Sequence, residues 1–204
     1  MVIHRALVRA GIVLWSADIS DSVPRSEWIP LESGRSVPGT FHAEGACFLL
    51  VESEEAARRR QARPIAAILG AGWGRAAVGA EARSGLHVSR AIQAACADGG
   101  IDPAAVELVV GSADGGSLDG PENEALAGVF GPGRLPALVL PKRILGECFA
   151  FTSAAIAAIA ALSLGGGRPQ GGRPQEGRQY RRALAVASTR RGGACALLLG
   201  AIDG

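Results

Sequence analysis

Val106-Glu107-Leu108-Val109-Val110-Gly111-Ser112-Ala113-Asp114-Gly115-Gly116-Ser117 joins an apolar run to a loop of small and polar residues. Residues 106–110 are mostly aliphatic and β-branched, the pattern of a strand buried on both faces. The glycines and serines that follow break that strand. A helical pattern then resumes over residues 121–129. Strand, loop and helix in this order form the repeating unit of a layered α/β domain.

The same unit extends outward in both directions. On the C-terminal side, residues 137–140 read as a strand that leads into Pro141-Lys142-Arg143-Ile144-Leu145-Gly146-Glu147. Residues 148–164 are apolar except for Thr152, Ser153 and Ser163. That stretch is shorter than the roughly 20 residues a bilayer requires. It is rich in alanine all round, so it predicts a helix buried on several sides of the domain and not a membrane span. Residues 183–188 and 194–202 read as two final strands. Between them and the alanine helix, Gly-Gly-Arg-Pro-Gln occurs twice, at 166–170 and 171–175, in a polar stretch that reads as a surface linker.

On the N-terminal side, a helix is expected at 84–98, closed by Gly99-Gly100, and a strand at 65–71. Ser53 precedes a helix with Glu54 and Glu55 in its first turn and Arg58, Arg59 and Arg60 at its end, matching the macrodipole at both ends. Residues 46–52 read as a buried strand. Residues 20–45 are broken by Pro24, Pro30 and Pro38 and read as a long loop, while 1–10 and 11–17 read as the tail of a helix and a short strand.

Composition narrows the function classes. The 204 residues suffice for one full core, with 29 glycines and only 4% aromatics. A net charge of +2 gives no clustered basic face for nucleic acid. Cys47, Cys96, Cys148 and Cys195 lack metal or CxxC spacing and read as reduced thiols of a cytoplasmic protein, and no signal-peptide series is seen. His4, His42 and His87 have no metal spacing either, and His87 is expected to be an exposed helix residue. No metal and no cofactor are expected.

The loops around Asp114 and Glu147 resemble those on which β-ketoacyl synthases of the thiolase-like superfamily carry their two active-site histidines. In that family the loops run Ala-His-Gly-Thr-Ser and Lys-Ser-x-x-Gly-His; here an acid stands at each histidine position. The resemblance continues through Glu44-Gly45-Ala46 with Leu49-Leu50-Val51-Glu52, through Ala71-Gly72-Trp73-Gly74, and through Glu124-Ala125-Leu126 with Val129-Phe130-Gly131. Residues 188–193 fall where the family has a Gly-Phe-Gly-Gly turn, interrupted here by Arg190 and Arg191. Ala113-Asp114, with the Val-Phe-Gly and Pro-Lys segments, is most similar to the chain-length-factor branch.

The resemblance implies a truncated thiolase-like α/β fold. Residues 1–63 would be a remnant of the N-terminal half, and 64–204 a complete C-terminal half with a five-stranded mixed sheet and a buried helix. The family nucleophile would lie outside the chain. It further implies a catalytically incomplete partner subunit of a polyketide or fatty-acid type synthase, pairing as a heteromer with an active ketosynthase and shaping its acyl-chain cavity. Contact with an acyl carrier protein is left open.

Electrostatics supports the loss of chemistry. A condensing enzyme stabilises an enolate oxygen with converging N–H donors, each worth about 10²–10³ in rate. Asp114 and Glu147 would instead present negative charge. The same two acids could form an acid–base pair for a cyclase, dehydratase or hydrolase, or simply be salt-bridged to Arg143 or Arg190. Cys148, opening a helix, could be a thiolate favoured by the dipole or a small buried residue. Lys142, the only lysine, stands where the family has a lysine near the active site, and a packing or salt-bridge role is equally open.

Overall fold

A computed structural model of the chain describes residues 43, 45–76, 84–131, 133–148, 150–164, 179–189 and 192–202. Its strands β1 (Ala67–Arg75), β2 (Leu108–Val110), β3 (Ala137–Val139), β4 (Arg182–Ser188) and β5 (Gly193–Gly200) form one mixed sheet in the order β1-β5-β4-β2-β3. β2 is parallel to β3 and β4, whereas β5 is antiparallel to both β1 and β4. The helices are α1 (Glu54–Arg59), α2 (Leu86–Asp98), α3 (Asp119–Phe130), the single turn α4 (Lys142–Leu145) and α5 (Ala150–Leu164). The layered α/β expectation and the five-stranded mixed sheet both hold.

Strand alternation divides the core in two. Val109, Leu184, Val186, Ala196 and Leu198 face α2 and α3, where they meet Val88, Ile92, Leu126 and Phe130. Their neighbours Leu108, Val110, Ala183, Ala185 and Leu199 face the other way, onto Ile156, Ala157, Ala160 and Leu164 of α5. Burial on both faces explains why β2 and β4 read as continuous apolar runs. α5 is mostly buried, as expected, with Leu162 as its exposed large residue.

α2 lies unusually close to β1. A Cβ at Gly70, Gly72 or Gly74 would fall on the carbonyl oxygens of Ala95, Ala91 and His87 respectively. Glycine at every second position of one strand face therefore lets the helix backbone rest directly on the strand. The strand begins two residues later than the sequence suggests and runs on through Arg75. α1 is built as expected: the Ser53 hydroxyl accepts the Ala56 N–H at 3.2 Å, with acids in the first turn and arginines in the last.

Two expectations fail. Residues 46–52 do not form a strand; they are extended with a single bridge residue at Leu50. Leu49 still packs onto the core beneath α5 while Phe48 and Leu50 stay exposed, so burial alternates along this apolar run without ladder pairing. His87 is not exposed but fully buried. It belongs to the α2 stripe 87/88, 91/92, 95/96 that faces the sheet. The expected elements at 1–10 and 11–17, nearly all of the 20–45 loop, the pentapeptide repeat, His4, His42, Arg190 and Arg191 lie outside the described residues.

Candidate functional site

The parallel strands β2, β3 and β4 end on the same side, and the sequence-selected loops leave from those ends. In open α/β sheets the carboxyl ends of strands are where ligands bind. Ten polar or charged side chains are buried among the described residues, and Ser112, Asp114, Glu122, Lys142, Glu147, Thr152 and Ser188 are among them. They fall into two connected groups.

The first group fixes the Asp114 loop from below. Glu122, in the first turn of α3, accepts the Ser112 N–H at 3.0 Å, the Ser112 hydroxyl at 2.8 Å and the Ala113 N–H at 3.1 Å. Ser112 Oγ lies 2.7 Å from Ser188 Oγ and accepts the Ser188 N–H at 3.0 Å, tying this loop to the end of β4. Gly111 is required here, because a Cβ would occupy the place of Glu122 Oε1. Burial pushes the Glu122 carboxyl up from its ordinary value; the Ser112 hydroxyl, the backbone donors and the nearby Lys142 ammonium oppose that shift.

Above it, Asp119 accepts the N–H groups of Asp114 and Gly115, both at 2.9 Å, and its other oxygen meets Arg143 at 2.5 Å. The Asp114 carboxylate turns back on its own loop and accepts the Gly116 N–H at 2.9 Å. Gly115, at φ +92°, supplies the backbone conformation this turn needs.

The second group surrounds Glu147. Gly146, at φ +79°, turns the chain out of α4. Lys142 Nζ then donates to Glu147 Oε2 at 2.6 Å, and Thr152 Oγ1 donates to Glu147 Oε1 at 3.0 Å. Thr152 Oγ1 also accepts the Cys148 N–H at 3.0 Å. The Cys148 thiol faces the carbonyls of Leu145 and Gly146 at 3.7 and 3.9 Å. Burial first, and the Glu147 charge second, push it up, while Lys142 pulls weakly the other way. A raised thiol is a poor nucleophile at neutral pH.

The four sequence-selected residues thus sit at one end of the sheet. Lys142 and Glu147 are joined as a buried ion pair, which places Lys142 in the salt-bridge role. Arg143, considered as a partner of the two acids, pairs with Asp119 instead. Sequence reasoning missed Ser112, Asp119, Glu122, Thr152 and Ser188. An acid three residues beyond Asp119, inside an otherwise apolar helix face, was the available signal for Glu122. Ser188 and Thr152 carry no local signal, since their partners come from other elements. The described residues hold no cluster suited to a metal ion and no helix long and apolar enough to cross a membrane.

Solved structures decide the architecture. The ishigamide ketosynthase/chain length factor superposes with a TM-score of 0.75 over 88% of this chain, at 24% identity, and the match takes in 49% of that chain. The fold is that of the ketosynthase and chain-length-factor type, thiolase-like. A type II polyketide acyl-carrier protein complex with its ketosynthase bound to the hexaketide gives a TM-score of 0.65 over 86% of this chain and 50% of that one, at 18% identity. In sequence, the tetracenomycin polyketide synthase ketoacyl synthase beta subunit of Streptomyces glaucescens is 34% identical over 151 residues, covering 69% of this chain and 34% of that protein. No family model matches. The chain therefore spans about a third of this curated relative and about half of the solved ketosynthase-type chains.

Proposed function

We propose that the chain acts as a chain-length-factor-like, catalytically incomplete partner subunit of a type II polyketide synthase, pairing with an active ketosynthase and helping to wall the cavity in which the acyl chain grows. The observation that carries this reading is the engagement of Glu147: its two oxygens accept from Lys142 and Thr152 inside the protein. A carboxylate spent this way is a fold element. It offers no N–H to a developing enolate oxygen, where a catalytic imidazole would. Asp114 likewise accepts from its own loop.

Exposed Phe48, Leu50, Ile65, Ile68, Trp73 and Leu162 support association with a partner, because apolar surface of this kind marks interaction faces. On this reading residues 1–63 belong to an N-terminal half, residues 64–204 form the C-terminal half, and the protein works in the cytoplasm beside an acyl carrier protein. The alternative, a cyclase, dehydratase or hydrolase working through Asp114, Glu147 or Cys148, is disfavoured by the raised Cys148 thiol and the engaged carboxylates. The test is incubation of the purified chain with a malonyl thioester: no carbon dioxide release is expected, and measurable turnover overturns the proposal.

A further inference from the structure

β1 is an edge strand of nine residues, with Ile68, Leu69 and Trp73 exposed and with neither proline nor lysine in it. A long apolar edge of this kind is a template for pairing with another chain unless something covers it. Two side chains of α2 reach it. Asp98 accepts the Ala71 N–H at 2.9 Å, and Arg90 Nη1 donates to the Arg75 carbonyl at 3.1 Å. Because β1 is bonded to β5 on its other side, both groups belong to the edge that pairs with no other strand among the described residues.

The geometry of helix and strand matches. Asp98 and Arg90 are eight residues apart, roughly 12 Å along an α-helix. Ala71 and Arg75 are four apart, roughly 13 Å along a strand. α2 returns antiparallel to β1, and the Gly70, Gly72, Gly74 face brings its backbone onto the strand, so side chains on its flank can reach over the edge. The position of Asp98 is itself telling. It is the last residue of α2, whose final turn contains no basic residue, and an acid at a helix C-terminus opposes the macrodipole. Its bond to the Ala71 N–H offsets that cost.

We infer that Asp98 and Arg90 form a guard on the β1 edge, occupying outward backbone groups so that no second strand, in particular the β1 of another copy, can add to the sheet. The guard leaves the sheet and helix faces for association and closes the edge. It stands independently of the proposed partner-subunit role.

Amide hydrogen exchange on the full-length chain, with sedimentation of guard variants, tests this. In the unaltered protein the Ala71 amide should exchange about tenfold more slowly than the Trp73 amide, two residues on along the same edge. Asp98→Ala should speed Ala71 exchange by about five- to tenfold, the size of one lost hydrogen bond, and Asp98→Asn, which keeps an acceptor oxygen, should stay near wild type. Asp98→Ala with Arg90→Ala should raise the weight-average mass with concentration above that of the unaltered chain. Adding Trp73→Pro, which removes an outward N–H at an edge position that tolerates proline, should abolish that rise. Equal exchange of Ala71 and Trp73 in the unaltered protein, unchanged Ala71 exchange in Asp98→Ala, or association beyond that of the unaltered chain that survives Trp73→Pro would each overturn the guard.

Discussion

Lys142 Nζ lies 2.6 Å from Glu147 Oε2, with both side chains almost wholly buried. Removing one member of such a pair leaves a buried charge uncompensated, which costs about 3–5 kcal/mol, whereas removing both together costs far less. Lys142→Met alone should therefore destabilise the chain by that amount in denaturant titrations. Lys142→Met combined with Glu147→Gln should recover a large part of the loss. Equal losses in the single and double variants would show that the pair does not act as a unit.

His87 is buried with neither ring nitrogen hydrogen-bonded among the described residues, and burial holds its pKa below the ordinary 6.5. Below pH 6.5 the unfolded chain takes up a proton that the folded chain refuses. Stability therefore falls as pH drops from about 6.5 toward the lowered folded value, and then levels off. His87→Leu should remove this dependence and stabilise the protein by about 1–2 kcal/mol at neutral pH, since two unsatisfied polar atoms disappear. Melting curves at pH 7 and pH 5.5 check both statements, and an unchanged pH slope would contradict them.

The glycines of β1 and Gly128 of α3 predict opposite responses to one substitution. Gly74→Ala drives a methyl group onto the His87 carbonyl, so a loss of at least about 3 kcal/mol, or failure to fold, is expected. Gly128→Ala meets nothing within 4 Å inside a helix and should stabilise by about 0.5–1 kcal/mol. Thermal melts of the two variants give the comparison.

Much of this was legible in the sequence, and the exceptions share a cause. The apolar runs, the Ser53 cap and the alanine helix announced themselves through local pattern, because burial on both faces of a strand and charge at helix ends are written locally. His87 was misread because it is polar, although it stands one turn ahead of Ala91 in the buried stripe of α2. The 46–52 stretch is a continuous apolar run up to Glu52, as a buried strand would be, but pairing depends on a neighbour that the stretch itself cannot specify. In the site, Asp114 and Glu147, both buried, were singled out by the family resemblance. The Glu122–Ser112–Ser188 connection was not, since its bonds span 10 and 76 residues of chain.

Replacing the acids should not restore chemistry. On the proposed reading, Asp114→His with Glu147→His places imidazoles where the family has them but removes the carboxylate that neutralises Lys142. The double variant should show no malonyl-thioester turnover and lower stability than wild type, measured in the same decarboxylation assay and denaturant titration. Turnover by the double variant would contradict the catalytically incomplete reading.

Association tests the central claim most directly. Sedimentation velocity at low micromolar concentration should be run on the chain alone and with a type II ketosynthase added. The account predicts that the chain alone self-associates or sediments as an expanded species, and that a single faster heteromeric species forms on mixing. A compact monomer whose sedimentation is unchanged by the ketosynthase would contradict it.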